Sequence, residues 1–270
     1  MDVGGYRLAF QEAGTGRPTV VLEAGAGLAA ATWDPLWAPL ARLTRVVRYD
    51  RAGLGRSEAA PAPLTHRDQV AALRTLLQRA AIPGPYVLVG HSLGGLLVRM
   101  YAEHYPVEVV GLVLVDAVHP EQNHRALGLL PPERPGESVA LAALRRNLRR
   151  VNDEATPWIE EMGEHLNWSA SQAQARALGS LGALPLVVVT QGGLVETNLP
   201  PDCPADFAAY VTQAYHPMRL ELQVDLARLS SRSRQIIAAR SGHMIHRDEP
   251  EVVIAAIREM VEAARQGEQH

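Results

Sequence analysis

The chain has 270 residues, enough for one large α/β domain or a core domain with a small insertion. Hydrophobic residues make up 47% and charged residues 20%, and a net charge of −3 gives no electrostatic case for nucleic acid or an anionic membrane. All 26 basic residues are arginine, which excludes a catalytic lysine, and a single cysteine, Cys203, excludes an intrachain disulfide.

No apolar run reaches membrane-spanning length, and no basic N-terminal region precedes an apolar core. A cytoplasmic protein without membrane insertion, monomeric or homodimeric, is the expectation. Tyr6 to Glu12 alternates as an early strand and ends at Ala13-Gly14-Thr15-Gly16. Thr19 to Glu23 is a buried strand, followed by Ala24-Gly25-Ala26-Gly27. Trp33 to Leu43 reads as a helix with Pro35 in its first turn. Arg45 to Tyr49 is the next strand, Asp50 to Ser57 a loop, and His66 to Ala80 a helix by the spacing of Val70, Leu73, Leu76 and Leu77.

The apolar run Tyr86–Val89 leads into Gly90-His91-Ser92-Leu93-Gly94-Gly95, after which Leu96, Leu97, Met100 and Tyr101 recur at helical spacing. A serine between two glycines at a strand-to-helix turn is a nucleophile elbow. Residues two before and two after it must be small for the neighbouring chain to pass, and the helix N-terminus favours negative charge beside the hydroxyl. A phosphate-binding loop is disfavoured because no lysine follows the last glycine.

Val109 to Val115 is another apolar strand, ending at Asp116. Strands alternating with helices in near-continuous hydrophobic runs indicate a parallel sheet covered on both faces. The alternation breaks between His119 and Ala183, a stretch rich in Glu, Arg and Ala. There Ser138 to Val151 reads as an amphipathic helix with Val139, Leu141, Leu144 and Leu148 inward, followed by short helices carrying Trp158, Ile159, Met162, Leu166 and Trp168. Strand character returns at Leu186 to Thr190. A helix near Pro217 to Leu229, a last strand Gln235 to Ala239 and a closing helix Glu251 to Ala264 complete the chain, with a frayed tail from Gln266.

A serine hydroxyl needs a base, a group that orients the base, and a site for the oxyanion. Among ten histidines, His243 stands out because it follows the final strand in Ser241-Gly242-His243 and can swing over the elbow. His246 lies three residues on, but no third ligand nearby makes the pair a metal site.

These motifs resemble the α/β-hydrolase superfamily, in particular its members with a helical cap between the sixth and seventh strands. Gly-His-Ser-Leu-Gly-Gly, the Ser-Gly-His…Asp-Glu-Pro ending, the Asp50 to Ser57 loop and the order serine, acid, histidine carry the resemblance over nearly the whole length. It implies a mostly parallel eight-stranded sheet flanked by helices, with residues 1–118 and 184–270 as the core domain and 119–183 as a helical cap. It also implies an acid at one of two strand ends: Asp116, or Glu196 in Gly193-Leu194-Val195-Glu196. Asp116 is favoured because a carboxylate ending an apolar strand needs a partner there; if Asp116 caps its loop instead, Glu196 is the acid. The oxyanion donors are the amide of Leu93 and one from the loop where the family's His-Gly is replaced by Ala24-Gly25, assigned to Ala26. Trp33, beside that loop, is expected to line the pocket, and Trp158 and Trp168 to roof it or to fill the cap core.

The expected function is therefore cleavage of small, largely apolar carboxylic esters through an acyl-enzyme, with no cofactor and no metal. Relatives with an aspartate nucleophile, the dehalogenases and epoxide hydrolases, are set aside by the serine. Two other classes compete. One is a hydrolase-fold sensor that binds a small ligand with little turnover. The other is an NAD(P)-binding oxidoreductase, since Gly25-Ala26-Gly27-Leu28-Ala29-Ala30 matches G-x-G-x-x-A and Asp50 ends the next strand.

Overall fold

A strand buried on both faces has no polar side to show water, and the valine-rich runs of this chain become the middle of one sheet. In the computed structural model, residues 1–267 are described apart from Glu154, Trp158, Met162 and residues 194–198. The first half holds β1 (Phe10–Ala13), β2 (Thr19–Glu23), α1 (Asp34–Leu43), β3 (Val46–Tyr49), α2 (His66–Arg79), β4 (Tyr86–His91), α3 (Leu93–His104) and β5 (Val109–Val115). An inserted segment follows, with α4 (Gln122–Gly128), α5 (Val139–Asn152), β6 (Ile159–Glu161), β7 (Glu164–Leu166) and α6 (Trp168–Arg176). The chain returns through β8 (Leu186–Gln191), α7 (Ala205–Tyr210), α8 (His216–Ala227), β9 (Ser233–Ala238), α9 (Ile245–Asp248) and α10 (Pro250–Gly267).

The main sheet runs β1-β3-β2-β4-β5-β8-β9, and only β1 is antiparallel. Every residue of β2 and β4 is buried. Alternate side chains serve opposite faces. Val21, Leu88, Leu112 and Val188 pack against Leu73 and Leu77 of α2 and Leu97 of α3. Val20, Val87, Val113 and Val187 meet Leu36 and Leu40 of α1 and Val253 and Ile257 of α10. β4 lies between β2, which precedes it in the chain, and β5, which follows it. Connections leave in opposite directions at that point, so the loops after β2, β4 and β5 open a crevice at the carboxyl ends of the strands.

The sheet has seven strands where eight were expected. Residues 1–8 double back through Gly4 and Gly5, both at positive φ, and make only a single bridge between Asp2 and Arg7. Too few residues remain on either side of that turn to form a strand that pairs with the sheet.

The inserted segment also departs from an all-helical expectation, because β6 and β7 form an antiparallel hairpin turned at Gly163 (φ +91°). Ile159, Glu164 and Leu166 point inward. Leu64 of the core pairs with this hairpin, donating to the His165 carbonyl and accepting from the Asn167 amide. Ser171 and Gln174 of α6 accept from the first amides of α2, those of His66 and Arg67. The segment is thus hydrogen-bonded to the core through Leu64 and through the first turn of α2, among other places. In α5, Ser138 caps the helix by accepting from Leu141, and Leu141 and Leu148 are buried. Val139, expected inward, is 83% exposed, because it is the first helical residue and lies on the opposite face from Leu141. Trp158 and Met162 lie outside the described residues, as does the tail from residue 268.

Candidate active site

The turn between β4 and α3 puts Ser92 at φ 53°, ψ −120°, a region that L-residues rarely occupy. The flanking glycines make this possible. A Cβ on Gly90 would lie 2.3 Å from the Gly94 carbonyl oxygen, and one on Gly94 would lie 2.3 Å from that of Glu23. The elbow is fixed to its neighbour, since the Ser92 amide donates to Val115 (3.1 Å) and its carbonyl accepts from Val118 (3.0 Å). Asp116, the residue after β5, is also at positive φ (43°), and its amide donates to Val189 of β8 (2.7 Å). Among the described residues only Ala81 joins these two as a non-glycine at positive φ. Backbone strain of this kind persists where surrounding contacts over-determine it, commonly at functional sites.

The Asp116 carboxylate is fully buried, and two groups meet at its Oδ2: Nδ1 of His243 at 2.5 Å and a terminal nitrogen of Arg219 at 2.6 Å. Its backbone carbonyl also accepts from Arg219 at 3.4 Å, and Oδ1 faces the Gln191 amide at 3.5 Å. Burial alone would lower the Arg219 pKa, but the Asp116 charge overrides it and holds the guanidinium above its ordinary value. Oδ2 already accepts from the Arg219 guanidinium and faces Nδ1 of His243 as an acceptor, so Nδ1 carries the proton and Nε2 is left as a base. The His243 side chain is 39% exposed.

Behind it stand three more rings. His91 lies between His243 and His246, with ring centroids 4.6 and 4.5 Å away, and donates from Nε2 to the His243 carbonyl at 2.9 Å. His246 in turn bonds the Thr32 hydroxyl through Nε2 (2.8 Å) and lies 4.6 Å from the Trp33 ring. Trp33 is therefore fully buried in the core under the sheet edge and does not line the cavity over Ser92. Its nearness in sequence to the oxyanion loop misled, because the turn at residues 30–33 sends the indole under the sheet, against Leu36 and Leu40.

Burial holds His66, His91 and His246 neutral. It pushes His66 and His246 down to about 4, with His243 and Arg247 adding repulsion at His246, and lowers His91 as well. A histidine that is neutral when folded and normal when unfolded takes up a proton only on unfolding. Stability is then complete above pH 6.5 and is lost as the pH falls towards 4, by up to about 3 kcal/mol each for His66 and His246. Urea midpoints should fall over that window, and His66→Gln should flatten the slope. An unchanged slope would show that His66 is already charged in the folded protein.

Ser92, Leu93 and Ala26 border one cavity of about 260 Å3, closed by Val118, Gln122, Asn123, Glu164, Leu166 and Trp168. Ala26 is in the loop after β2, whose next residues are held by Asp50: its Oδ1 accepts from Ala30 (2.7 Å) and its Oδ2 from Arg56 (3.0 Å). Each oxygen of Asp50 is thus engaged in holding backbone, the Ala30 amide on one side and the Arg56 amide on the other. The glycine loop also leads into a single 3-10 turn rather than directly into a helix. Both features count against dinucleotide binding.

A family model described as "Alpha/beta hydrolase family" matches residues 20–256. The chain belongs to the alpha/beta hydrolase family. The uncharacterized protein YqjL of Bacillus subtilis (strain 168) is 32% identical over 245 residues, covering 90% of this chain and 83% of that one. Two solved structures share the fold. An esterase from Thermogutta terrifontis is 22% identical, with a TM-score of 0.61 over 96% of this chain and 94% of its own. A haloalkane dehalogenase from Bradyrhizobium elkanii is 16% identical, with a TM-score of 0.68 over 100% and 98%. Membership of this family supports hydrolase activity.

Among the site residues of this alpha/beta hydrolase, sequence reasoning missed Arg219 and Glu164. Arg219 is the one arginine on the buried face of α8, flanked by Met218 and Leu222, and a charged residue among core positions is the signal that could have found it. Glu164 carried no comparable signal. Glu196 lies outside the described residues. No helix among the described residues is long and apolar enough to cross a membrane.

Proposed function

We propose that the protein is a serine hydrolase that cleaves carboxylic esters of small, largely apolar substrates. One observation carries this: a serine on a strained strand-to-helix turn ends β4, and at the end of the neighbouring strand β5 the buried Asp116 carboxylate holds the His243 imidazole. Nε2 of His243 takes the Ser92 proton as the oxygen attacks the ester carbonyl. Asp116 orients the ring through Nδ1 and stabilises the imidazolium that forms. The oxyanion is received by the amides of Ala26 and Leu93, the latter at the positive end of α3. The protonated imidazole then gives its proton to the departing alcohol. Water activated by the same nitrogen releases the acid and restores Ser92. Arg219 holds the Asp116 carboxylate in place, and residues 119–183 act as a cap over this chemistry. The test is covalent: a fluorophosphonate should label Ser92, mapped by mass spectrometry, and p-nitrophenyl acetate should turn over. Labelling elsewhere, or none, would remove the reading.

Trp168 sets the size of substrate in this scheme. Its ring borders the cavity over Ser92 and also a second one of about 250 Å3, lined by Val151, Asn152, Asp153, Gln172 and Arg176. The indole is pinned as a partition by its N–H, which donates to the Val151 carbonyl at 2.7 Å. Trp168→Ala should join the two spaces and move the preference towards longer chains. Each methylene newly buried, at roughly 0.8 kcal/mol, should raise kcat/KM about fourfold relative to wild type. A series from acetate to octanoate reads this, and an unchanged profile would mean that the second cavity is not in line with the acyl or alcohol group.

A further inference from the structure

A cluster of buried charge to which the reaction above assigns no role adjoins the cavity, which Glu164 helps to line. Arg51, from the loop after β3, is 3% exposed and stands between Glu23 at the end of β2 and Glu164 on β7, each 1% exposed. Glu164 belongs to the inserted segment, so this contact crosses from the insertion to the core. Its Oε2 accepts from Nε of Arg51 (2.7 Å) and from the Gln69 amide nitrogen (2.9 Å), and its Oε1 accepts from a terminal nitrogen of Arg51 (2.7 Å). Arg51 holds Glu164 ionised against a burial that would otherwise raise its pKa. Buried ion pairs are seldom more stabilising than well-packed apolar residues of the same volume, because desolvation offsets the attraction. A role in positioning explains the arrangement better than a role in stability.

The remaining bonds of the cluster show what is positioned. Arg51 donates to the carbonyls of Ala24 and Gly25, each at 2.6 Å, and Oε1 of Glu164 accepts from the Gly27 amide at 3.0 Å. Ala26 is the residue between these anchors. A peptide group is planar and trans, so the Gly25 carbonyl and the Ala26 N–H share one plane and point in opposite directions. Fixing the first on Arg51 aims the second away from it. Fixing the Gly27 amide on Glu164 sets the next plane as well. Both peptides that flank the Ala26 Cα are thereby held, one by each member of the ion pair.

We propose that Arg51 and Glu164 are positioning residues that aim the Ala26 amide at the developing oxyanion, and that through Glu164 the inserted segment completes the acyl-transfer site. This rests on the hydrolase reading above. Without the hairpin in place, Arg51 would be a buried cation lacking its bidentate partner, and the loop would lose its anchor at Gly27.

Glu164→Gln keeps the shape but puts an amide N–H against donors, and the test compares it with wild type on phenyl acetate and phenyl thionoacetate. Sulfur in place of the carbonyl oxygen is poorly held by an oxyanion site, so wild type should strongly prefer the oxoester. Rates are expressed per titrated Ser92, which removes any misfolded fraction. The expected result is a fall in oxoester kcat of about 10- to 100-fold, with KM within about twofold and the oxo-over-thiono preference sharply reduced. Gln69→Met, which removes one of the two donors to Oε2 together with the contact between Gln69 Oε1 and Nδ1 of His66, should move both quantities the same way by less. Equal proportional losses on the two esters, or an unchanged kcat per titrated site, would overturn the positioning role while leaving the hydrolase reading intact. A wild type that hydrolyses neither ester would overturn both.

Discussion

Ser92→Ala should lower kcat for short acyl esters by a factor on the order of 10^5 and abolish fluorophosphonate labelling, with the fold retained. The size of the effect follows from geometry. The elbow presents one side chain at a place where the backbone, held by Val115 and Val118, cannot move to offer another. Ser92→Gly is a sharper probe of the same point. It should be equally inactive, yet more stable than the alanine variant by about 1 kcal/mol, because glycine alone accepts φ 53° without steric cost. Residual activity within about tenfold of wild type in either variant would place the nucleophile elsewhere.

Asp116→Asn should lower kcat by a factor on the order of 10^3 to 10^4, far more than Glu196→Gln, which is expected to stay within about threefold of wild type. The carboxylate does two things that an amide cannot. It fixes the proton on Nδ1 of His243, leaving Nε2 basic, and it offsets the positive charge that forms on the ring during attack. The substitution also strips the buried Arg219 of its counter-charge, so the variant should lose stability by about 3 kcal/mol or more. Urea denaturation run beside the kinetics separates the two losses, and Arg219→Gln should reproduce part of the second. A larger kinetic effect from Glu196→Gln would move the acid to the end of β8.

Local features of the chain were legible and cooperative ones were not. The elbow could be read because its requirement is confined to six residues: Gly90 and Gly94 must be small for contacts made within a few ångströms of Ser92. The strands of the sheet could be read because burial on both faces forces continuous apolar runs such as Val109 to Val115. Strand β6 and β7 were missed because three residues each is too short for a period to show. The hairpin exists because Leu64, far away in sequence, pairs with it. Trp33 was misassigned for a related reason: proximity along the chain says nothing about which side of a sheet a side chain enters.

From its sequence alone this protein's family, its parallel core and the turn that holds Ser92 were determined, because apolar strand runs and the Gly90–Gly94 spacing are local patterns whose order along the chain is also legible. Only the tertiary structure decided that Arg219 neutralises Asp116 and that Glu164 reaches across to the loop of Ala26. Those pairs are joined through space by charge and hydrogen bonds over about a hundred residues of intervening chain. Such contacts leave no periodic trace, since a charged residue looks the same in sequence whether it ends in water or against a buried partner.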